Sequence, residues 1–308
     1  MTELSYSIVI PVYNGAPFLK EIVERTIAIS KDKFQLKQII LVDDASSDNS
    51  WQIIQELKAE HPVLITGLLM EKNFGQHNVT CAGIQHCSGS YIITMDDDLE
   101  TAPEDIINLI NAQKESNANV VYGKFQKTKR NLLRKLLKFP YEVVAKIVGD
   151  GSKVNGSSFR LIETTLAKKI ATSATNFVFI DEVIAWYTTS IAFVTVSHYP
   201  SRRKSSHYSL GNLLRLGGEV VVYSSLLPLK AVKVVGFLVS FTMFLIGIYF
   251  LVKQLFFDIP VQGFAALIVT ITFSTGIIMF TLGVIGEYLG KIFRNSNNSP
   301  VYSIRKEI

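Results

Sequence analysis

The chain has 308 residues, 48% of them hydrophobic, with a mean hydropathy of +0.27 and a formal net charge of +5. That apolar excess excludes an ordinary soluble enzyme of this length, and a modest positive charge clustered near the apolar segments fits an anionic lipid surface better than nucleic acid. Cys81 and Cys87 lie six residues apart in a helical stretch and so on different faces, which predicts inert packing and neither a disulfide nor a metal site.

The N-terminal half alternates strand and helix signals. Tyr6–Pro11 reads as a strand, and Pro17–Ser30 as an amphipathic helix. Gln38–Val42 is a strand ending in Asp43-Asp44, followed by a helix over Ser47–Glu60 with Ser47 or Asp48 as N-cap. Val63–Met70 is a strand, 73–76 a turn, and Asn78–His86 a helix. Tyr91–Met95 is a strand running into Asp96, Asp97 and Asp98; Pro103–Glu115 is a helix and Ala118–Tyr122 a strand. Such alternation predicts an α/β fold with a mostly parallel sheet covered on both faces. Ligands of such sheets sit at the carboxyl ends of the strands, so the acidic ends at 43–44 and 96–98 are expected to share one crevice. Ser7–Val12 already reads as a strand, so no signal peptide is expected before it.

Most of the apolar excess lies in 231–290. Val234–Val252 and Ile259–Gly286 are 19 and 28 residues without a charge, and about 20 apolar residues suffice to cross a bilayer core. The division expected is a catalytic domain over 1–229, a transmembrane hairpin over 230–290 with spans at about 234–252 and 264–286, and a tail over 291–308. Lys230 and Lys233 precede the first span, and Lys291, Arg294, Arg305 and Lys306 follow the second. The positive-inside rule then puts both outer ends and the large domain in the cytoplasm, as a multi-pass inner-membrane protein.

Adjacent carboxylates repel unless a cation sits among them. Asp-x-Asp at a strand end suits Mg²⁺ or Mn²⁺, which take hard oxygen ligands and share them with substrate phosphates. Asp96 and Asp98 are that pair, Glu100 can add an oxygen, and Asp97 points elsewhere; a solvated strand end with a helix cap is the competing reading.

Four segments in order, "SIVIPVYN" (7–14), "IILVDDASSDNS" (39–50), "NFGQHNVTCAGI" (73–84) and "IITMDDDLETAPEDI" (92–106), together resemble the family 2 glycosyltransferases, which have the GT-A fold. "GSSFRLI" (156–162), "SSHYSLGNLLRL" (205–216), "GVIGEYLGKIF" (283–293) and "SPVY" (299–302) narrow the resemblance to the polyprenyl-phosphate glycosyltransferases. The resemblance covers nearly the whole chain. It implies an inverting transfer of a monosaccharide from a nucleotide sugar, UDP-linked in the bacterial relatives, to undecaprenyl phosphate, in a homo-oligomer, with tetramers among the relatives. It also implies residue roles. Pro11, Tyr13, Asp43, Asp44, Asn73, Gly75 and Asp97 would form the nucleotide site. Asp96 and Asp98 would hold the metal and diphosphate, with Glu100 standing where the relatives usually carry Gln. Gly15 stands where they often carry Glu, and Ser158 where the bactoprenol glucosyltransferases carry Asp.

The segment 124–149 is basic and partly amphipathic, the pattern of a helix lying on a membrane surface, and 213–229 is a second such candidate. The resemblance implies that basic residues here bind the lipid phosphate, with Lys124 and Arg134 as candidates, and that Arg202, Arg203 and Lys204 join them in screening the repulsion between phosphate and diphosphate. Asp181-Glu182 fits three roles: a donor-sugar contact, a general base for a hydroxyl acceptor, or a structural ion pair with a nearby Arg. A processive polysaccharide synthase would carry Gln-x-x-Arg-Trp, which this chain lacks. A membrane-anchored sugar-nucleotide scaffold without catalysis is the non-enzymatic alternative.

Overall fold

The computed structural model describes residues 4–125, 157–173, 180–200, 263–296 and 300–308, with scattered helical positions between 232 and 248. Its elements in chain order are β1 (Ser5–Val12), α1 (Ala16–Lys33), β2 (Gln35–Asp43), α2 (Ser50–Glu60), β3 (Ile65–Met70), α3 (Gln76–Gln85) and β4 (Tyr91–Thr94). A 3-10 turn (Pro103–Asp105), α4 (Ile106–Ser116), β5 (Val120–Phe125), β6 (Arg160–Glu163), α5 (Thr164–Ser173), α6 (Ile180–Tyr187) and β7 (Ile191–Val196) follow. The last described elements are α7 (Phe264–Ser296) and β8 (Ile304–Glu307).

The strands form one mixed sheet in the order β7-β5-β6-β4-β1-β2-β3-β8. β1 pairs parallel with β2 and β4, β2 with β3, and β5 with β7, while β6 and β8 run antiparallel to their neighbours. The parallel centre explains why β1 is buried along almost its whole length, since helices cover both faces. Ile8, Ile10, Leu41 and Ile93 pack with Leu19, Ile22, Ile54 and Leu109 of α1, α2 and α4. Val9, Ile40, Val42 and Ile92 point the other way, against Val79 and Ala82 of α3, Ile170 of α5 and Val183 of α6. Each fully buried Ile or Leu contributes about 1.5–3 kcal/mol of transfer free energy, so the period-2 alternation fixes register as well as stability.

The helices begin and end where local chemistry allows. Pro17 sits in the first turn of α1, where a missing N–H costs nothing. Asn117 closes α4 in the left-handed conformation, φ 50°. The expected N-cap of α2 differs: Asn49 holds that position, and Asp48 instead accepts from the Ser50 amide at 3.0 Å.

The sheet and its helices form one compact unit, and α7 belongs to a second. Within α7, Phe273–Gly290 is the one window among the described residues long and apolar enough to cross a membrane. The helix runs on to Ser296, past the charged residues Glu287, Lys291 and Arg294. The expected first span, 234–252, lies largely outside the described residues, as do the basic segment beyond Phe125 and the stretch 213–229. The C-terminal tail does not stand apart from the catalytic domain: β8 pairs with β3, Leu68 opposite Glu307.

Candidate functional site

A cleft of about 330 Å³ opens at the carboxyl ends of β1, β2 and β4. β1 and the residue after it bring Pro11, Val12 and Tyr13; Asp44 follows β2; the turn before α3 brings Asn73 and Gly75, and α3 itself Gln76; and β4 runs into Asp96, Asp97 and Asp98. The acidic ends of two strands thus meet in one crevice.

Each carboxylate is held by a different device. Asp44 is buried, and its two oxygens accept from the amides of Phe74 at 2.6 Å and Gly75 at 2.9 Å. It clamps the turn that forms the cleft wall, and Gly75 takes φ +86°, a conformation that favours glycine. Asp97 turns back under β1, where its Oδ2 accepts the Tyr13 amide at 3.0 Å. That packing needs Gly15, since a Cβ there would lie 2.4 Å from the same oxygen. Asp96 takes two side-chain donors, Gln76 Nε2 on Oδ1 and Ser158 Oγ on Oδ2, both at 2.5 Å. Asp98 Oδ1 accepts the Glu100 amide at 3.0 Å across Leu99, a non-glycine at φ 58°. Asn14 and Ala45, just past β1 and β2, share that left-handed backbone, at φ 52° and 55°. Strained residues therefore follow three strands that border the cleft.

A polar staple joins the loops after β1 and β2. The Asn14 amide donates to Ser46 Oγ at 3.0 Å, and Asn14 Oδ1 accepts from the Ser47 amide at 2.9 Å. The Gly15 amide donates to Ser50 Oγ at 3.0 Å, and the Ala16 amide to Asp48 Oδ2 at 3.2 Å.

Burial pushes the carboxyls of Asp43, Asp44 and Asp96 above the usual carboxylate range, against the hydrogen bonds that lower them. Asp43 lies outside the cleft lining. Its Oδ1 accepts the Ser46 amide at 2.7 Å, and its buried Oδ2 has no hydrogen-bond partner among the described residues. Burial, aided by the nearby Arg160 cation, brings His77 down to about 4, so it is neutral near pH 7. Burial pushes the Cys81 and Cys87 thiols up to about 12, and both are free, in keeping with inert packing.

The expected site residues divide three ways. Pro11, Tyr13, Asp44, Asn73, Gly75, Asp96, Asp97 and Asp98 line the cleft. Asp43, Glu100 and Lys124 do not; Lys124 is the last but one residue of β5, with its Nζ 4.0 Å from the centroid of the Phe193 ring. Arg134, Arg202, Arg203 and Lys204 lie outside the described residues. Sequence reasoning missed Gln76 and the grip of Ser158 on Asp96. The Ser/Asp-rich run 46–50 was the available signal for the staple, because such residues bond loop amides.

Among the described residues no three His, Cys, Asp or Glu side chains gather as a metal cage. The chemistry of the donor set still fits a hard divalent cation. Two carboxylates from Asp96 and Asp98 offer oxygens to the cleft, and Mg²⁺ characteristically completes its shell with phosphate oxygens and water. Asp181 faces other work: its Oδ1 accepts from Arg160 Nη1 and, at 2.9 Å, from the Tyr122 hydroxyl.

The α/β sheet ends its strands around one acidic cleft, and the family model that matches over these elements makes this chain a glycosyltransferase. It belongs to glycosyl transferase family 2, whose model matches residues 7–171. It is 28% identical over 305 residues to an undecaprenyl-phosphate 4-deoxy-4-formamido-L-arabinose transferase of Shewanella sediminis, covering 97% of this chain and 91% of that one. A protein of the same description from Yersinia enterocolitica is 29% identical over 311 residues, covering 98% and 93%. Among solved structures, mannosyl-3-phosphoglycerate synthase from Rubrobacter xylanophilus aligns at a TM-score of 0.49 and 14% identity, over 71% of this chain and 72% of that one.

Proposed function

We propose that this chain transfers a monosaccharide from a nucleotide sugar, UDP-linked, to undecaprenyl phosphate at the cytoplasmic face of the inner membrane. The sheet is read as the GT-A fold, anchored by a two-span hairpin of which α7 is the second member. The observation that carries the proposal is the convergence of Asp44, Asp96 and Asp98 on one cleft in a family 2 chain. The near full-length likeness to undecaprenyl-phosphate sugar transferases supports the choice of acceptor.

The residues divide the work. Pro11 and Tyr13 face the nucleoside, and Asp44 holds the 73–75 turn against it. Asp96 and Asp98 would hold Mg²⁺ or Mn²⁺ beside the diphosphate, and Asp97 fixes the loop that carries Tyr13. A bound cation would supply charge neutralisation for the departing nucleoside diphosphate. A phosphate monoester has a second pKa near about 6, so the acceptor is already a nucleophile and needs no general base. The enzyme's task is to align the phosphate oxygen with the anomeric carbon. Lys124, with Arg134 and Arg202, would screen the repulsion between acceptor and diphosphate. One displacement inverts the anomeric configuration. Asp181 is poorly placed to act as a base for a hydroxyl acceptor, because a guanidinium and a phenol already occupy its Oδ1.

The test is a donor screen with the full-length protein, Mg²⁺ or Mn²⁺, undecaprenyl phosphate and a panel of nucleotide sugars, with lipid products read by mass spectrometry. One sugar–phosphate–lipid product is expected, lost with EDTA and in Asp98→Ala. Sugar found on a non-lipid acceptor would overturn the proposal, as would full activity in EDTA.

A further inference from the structure

Beside the cleft lies a chain of polar groups, buried at Arg160 and Thr94 and half-buried at Asp181, Ser158 and Asp96, that the transfer reaction leaves unexplained. Arg160 opens β6 and is 3% exposed. Its cross-strand partners are Thr94 at the end of β4 and Tyr122 in β5, so the three side chains lie side by side across three strands. Arg160 Nε donates to Thr94 Oγ1 at 3.2 Å, and Nη1 pairs with Asp181 Oδ1 on α6. Since the Thr94 oxygen accepts from Arg160, its own proton is directed onward, to the Ser158 carbonyl at 2.5 Å. Ser158 in turn donates its hydroxyl to Asp96 Oδ2. The order is Asp181, Arg160, Thr94, Ser158, Asp96.

We propose that Arg160 and Asp181 are positioning residues: through Thr94 and Ser158 they fix the orientation in which the Asp96 carboxylate meets the metal and diphosphate. Stability alone does not account for the pair. An ion pair with its arginine buried and its carboxylate half-buried gains little beyond its desolvation cost, and apolar side chains of similar volume would hold α6 to the sheet as well. An apolar pair could not orient the Thr94 hydroxyl. Every link is directional, with the guanidinium donating, the threonine both accepting and donating, and the serine donating. Gln76 holds the other Asp96 oxygen from α3, so the carboxylate is gripped from two elements. This is the arrangement that supports a ligand from behind, and loss of such support typically lowers metal affinity about 10- to 100-fold.

The inference rests on the reading of Asp96 as a carboxylate of the metal and diphosphate site, and the experiment separates the two. Mn²⁺ binding in the presence of UDP is titrated by electron paramagnetic resonance on full-length wild type, Asp96→Asn, Ser158→Ala, Thr94→Val, Asp181→Asn and the Ser158→Ala/Asp181→Asn double variant. Thermal melting and the pH dependence of transfer are read alongside. The expected result is an Mn²⁺ affinity about tenfold weaker in each of Ser158→Ala, Thr94→Val and Asp181→Asn. The double variant should be no weaker than the weaker single, because all act through one chain. If Asp96→Asn binds Mn²⁺ like wild type, the reading of the site fails and this inference with it. If Asp96→Asn loses Mn²⁺ while Ser158→Ala and Thr94→Val retain it, the positioning role alone fails. Lowered melting with unchanged Mn²⁺ affinity would make the pair purely structural. Loss of the acidic limb of the pH profile in Asp181→Asn would make it a base. The Ser158 and Thr94 variants remove one hydroxyl each, so they keep the test open if Asp181→Asn does not fold.

Discussion

Gly15→Ala is the sharpest probe of how the cleft is built. The backbone at Gly15 is φ −102°, ψ 7°, which alanine adopts, so no conformational penalty enters. The added Cβ would stand 2.4 Å from Asp97 Oδ2, 3.1 Å from its Cγ and 3.3 Å from its Cβ. Ordinary contact begins near 3.4 Å, so the oxygen must withdraw by about 1 Å. Asp97 is short and 6% exposed, and the displaced oxygen is the one that accepts the Tyr13 amide at 3.0 Å. Withdrawal breaks that bond, and a hydrogen bond to a charged group contributes about 1.5–3 kcal/mol. The expected destabilisation is about 2 kcal/mol by chemical denaturation of the detergent-solubilised protein, with a raised KM for the donor as Tyr13 loses its anchor. A double-mutant cycle isolates the cause: in an Asp97→Ala background, Gly15→Ala should cost little, leaving most of the 2 kcal/mol as coupling of about that size. Equal costs in both backgrounds would refute the steric argument.

Asp44→Asn replaces one of two acceptor oxygens with a donor facing the Phe74 or Gly75 amide, so nucleotide affinity measured by calorimetry should fall about tenfold or more. His77 titrates near about 4 when folded and at 6.5 when free, so the unfolded chain binds more protons between those values and stability is lost as pH falls from 6.5 toward 4. Wild type should therefore lose about 2 kcal/mol more than His77→Gln over that window in pH-dependent denaturation, and parallel curves would contradict it. Asp43 has the opposite sign: burial raises its carboxyl, so the folded state binds the proton more tightly and the penalty is relieved as pH falls through the folded value. Asp43→Asn should be as stable as wild type or more so at neutral pH, with that advantage shrinking in acid; a variant clearly less stable at neutral pH would refute the reasoning.

The sheet centre was legible because buried parallel strands are short apolar runs, and β1 through β4 fall within a few residues of expectation. The antiparallel strands were not. Ile304–Glu307 carries three charges, and Arg160–Glu163 begins and ends on one; neither has an apolar alternation, and pairing with a neighbour makes each a strand. The acidic cleft could be read from strand ends alone. Its support could not, since Asp96 meets Ser158, and Thr94 meets Arg160, only through cross-strand register. Asp181 had three candidate roles in the sequence, and its bond from Arg160, two elements away in the chain, was not legible there.

The pairing of β8 with β3 orders events in time as well as in space. Residue 68 leaves the ribosome long before residue 307, and the apolar window Phe273–Gly290 is made between them. The nascent domain therefore carries an open β3 edge while that window seeks its own environment. Gly67, whose amide and carbonyl both bond Ile308 at 3.0 Å, waits for its partner throughout. An unpaired edge is a template for any passing strand. Domain closure in this chain comes after translation has passed the helix, so the β3 edge stays open until Ile304–Glu307 has been made.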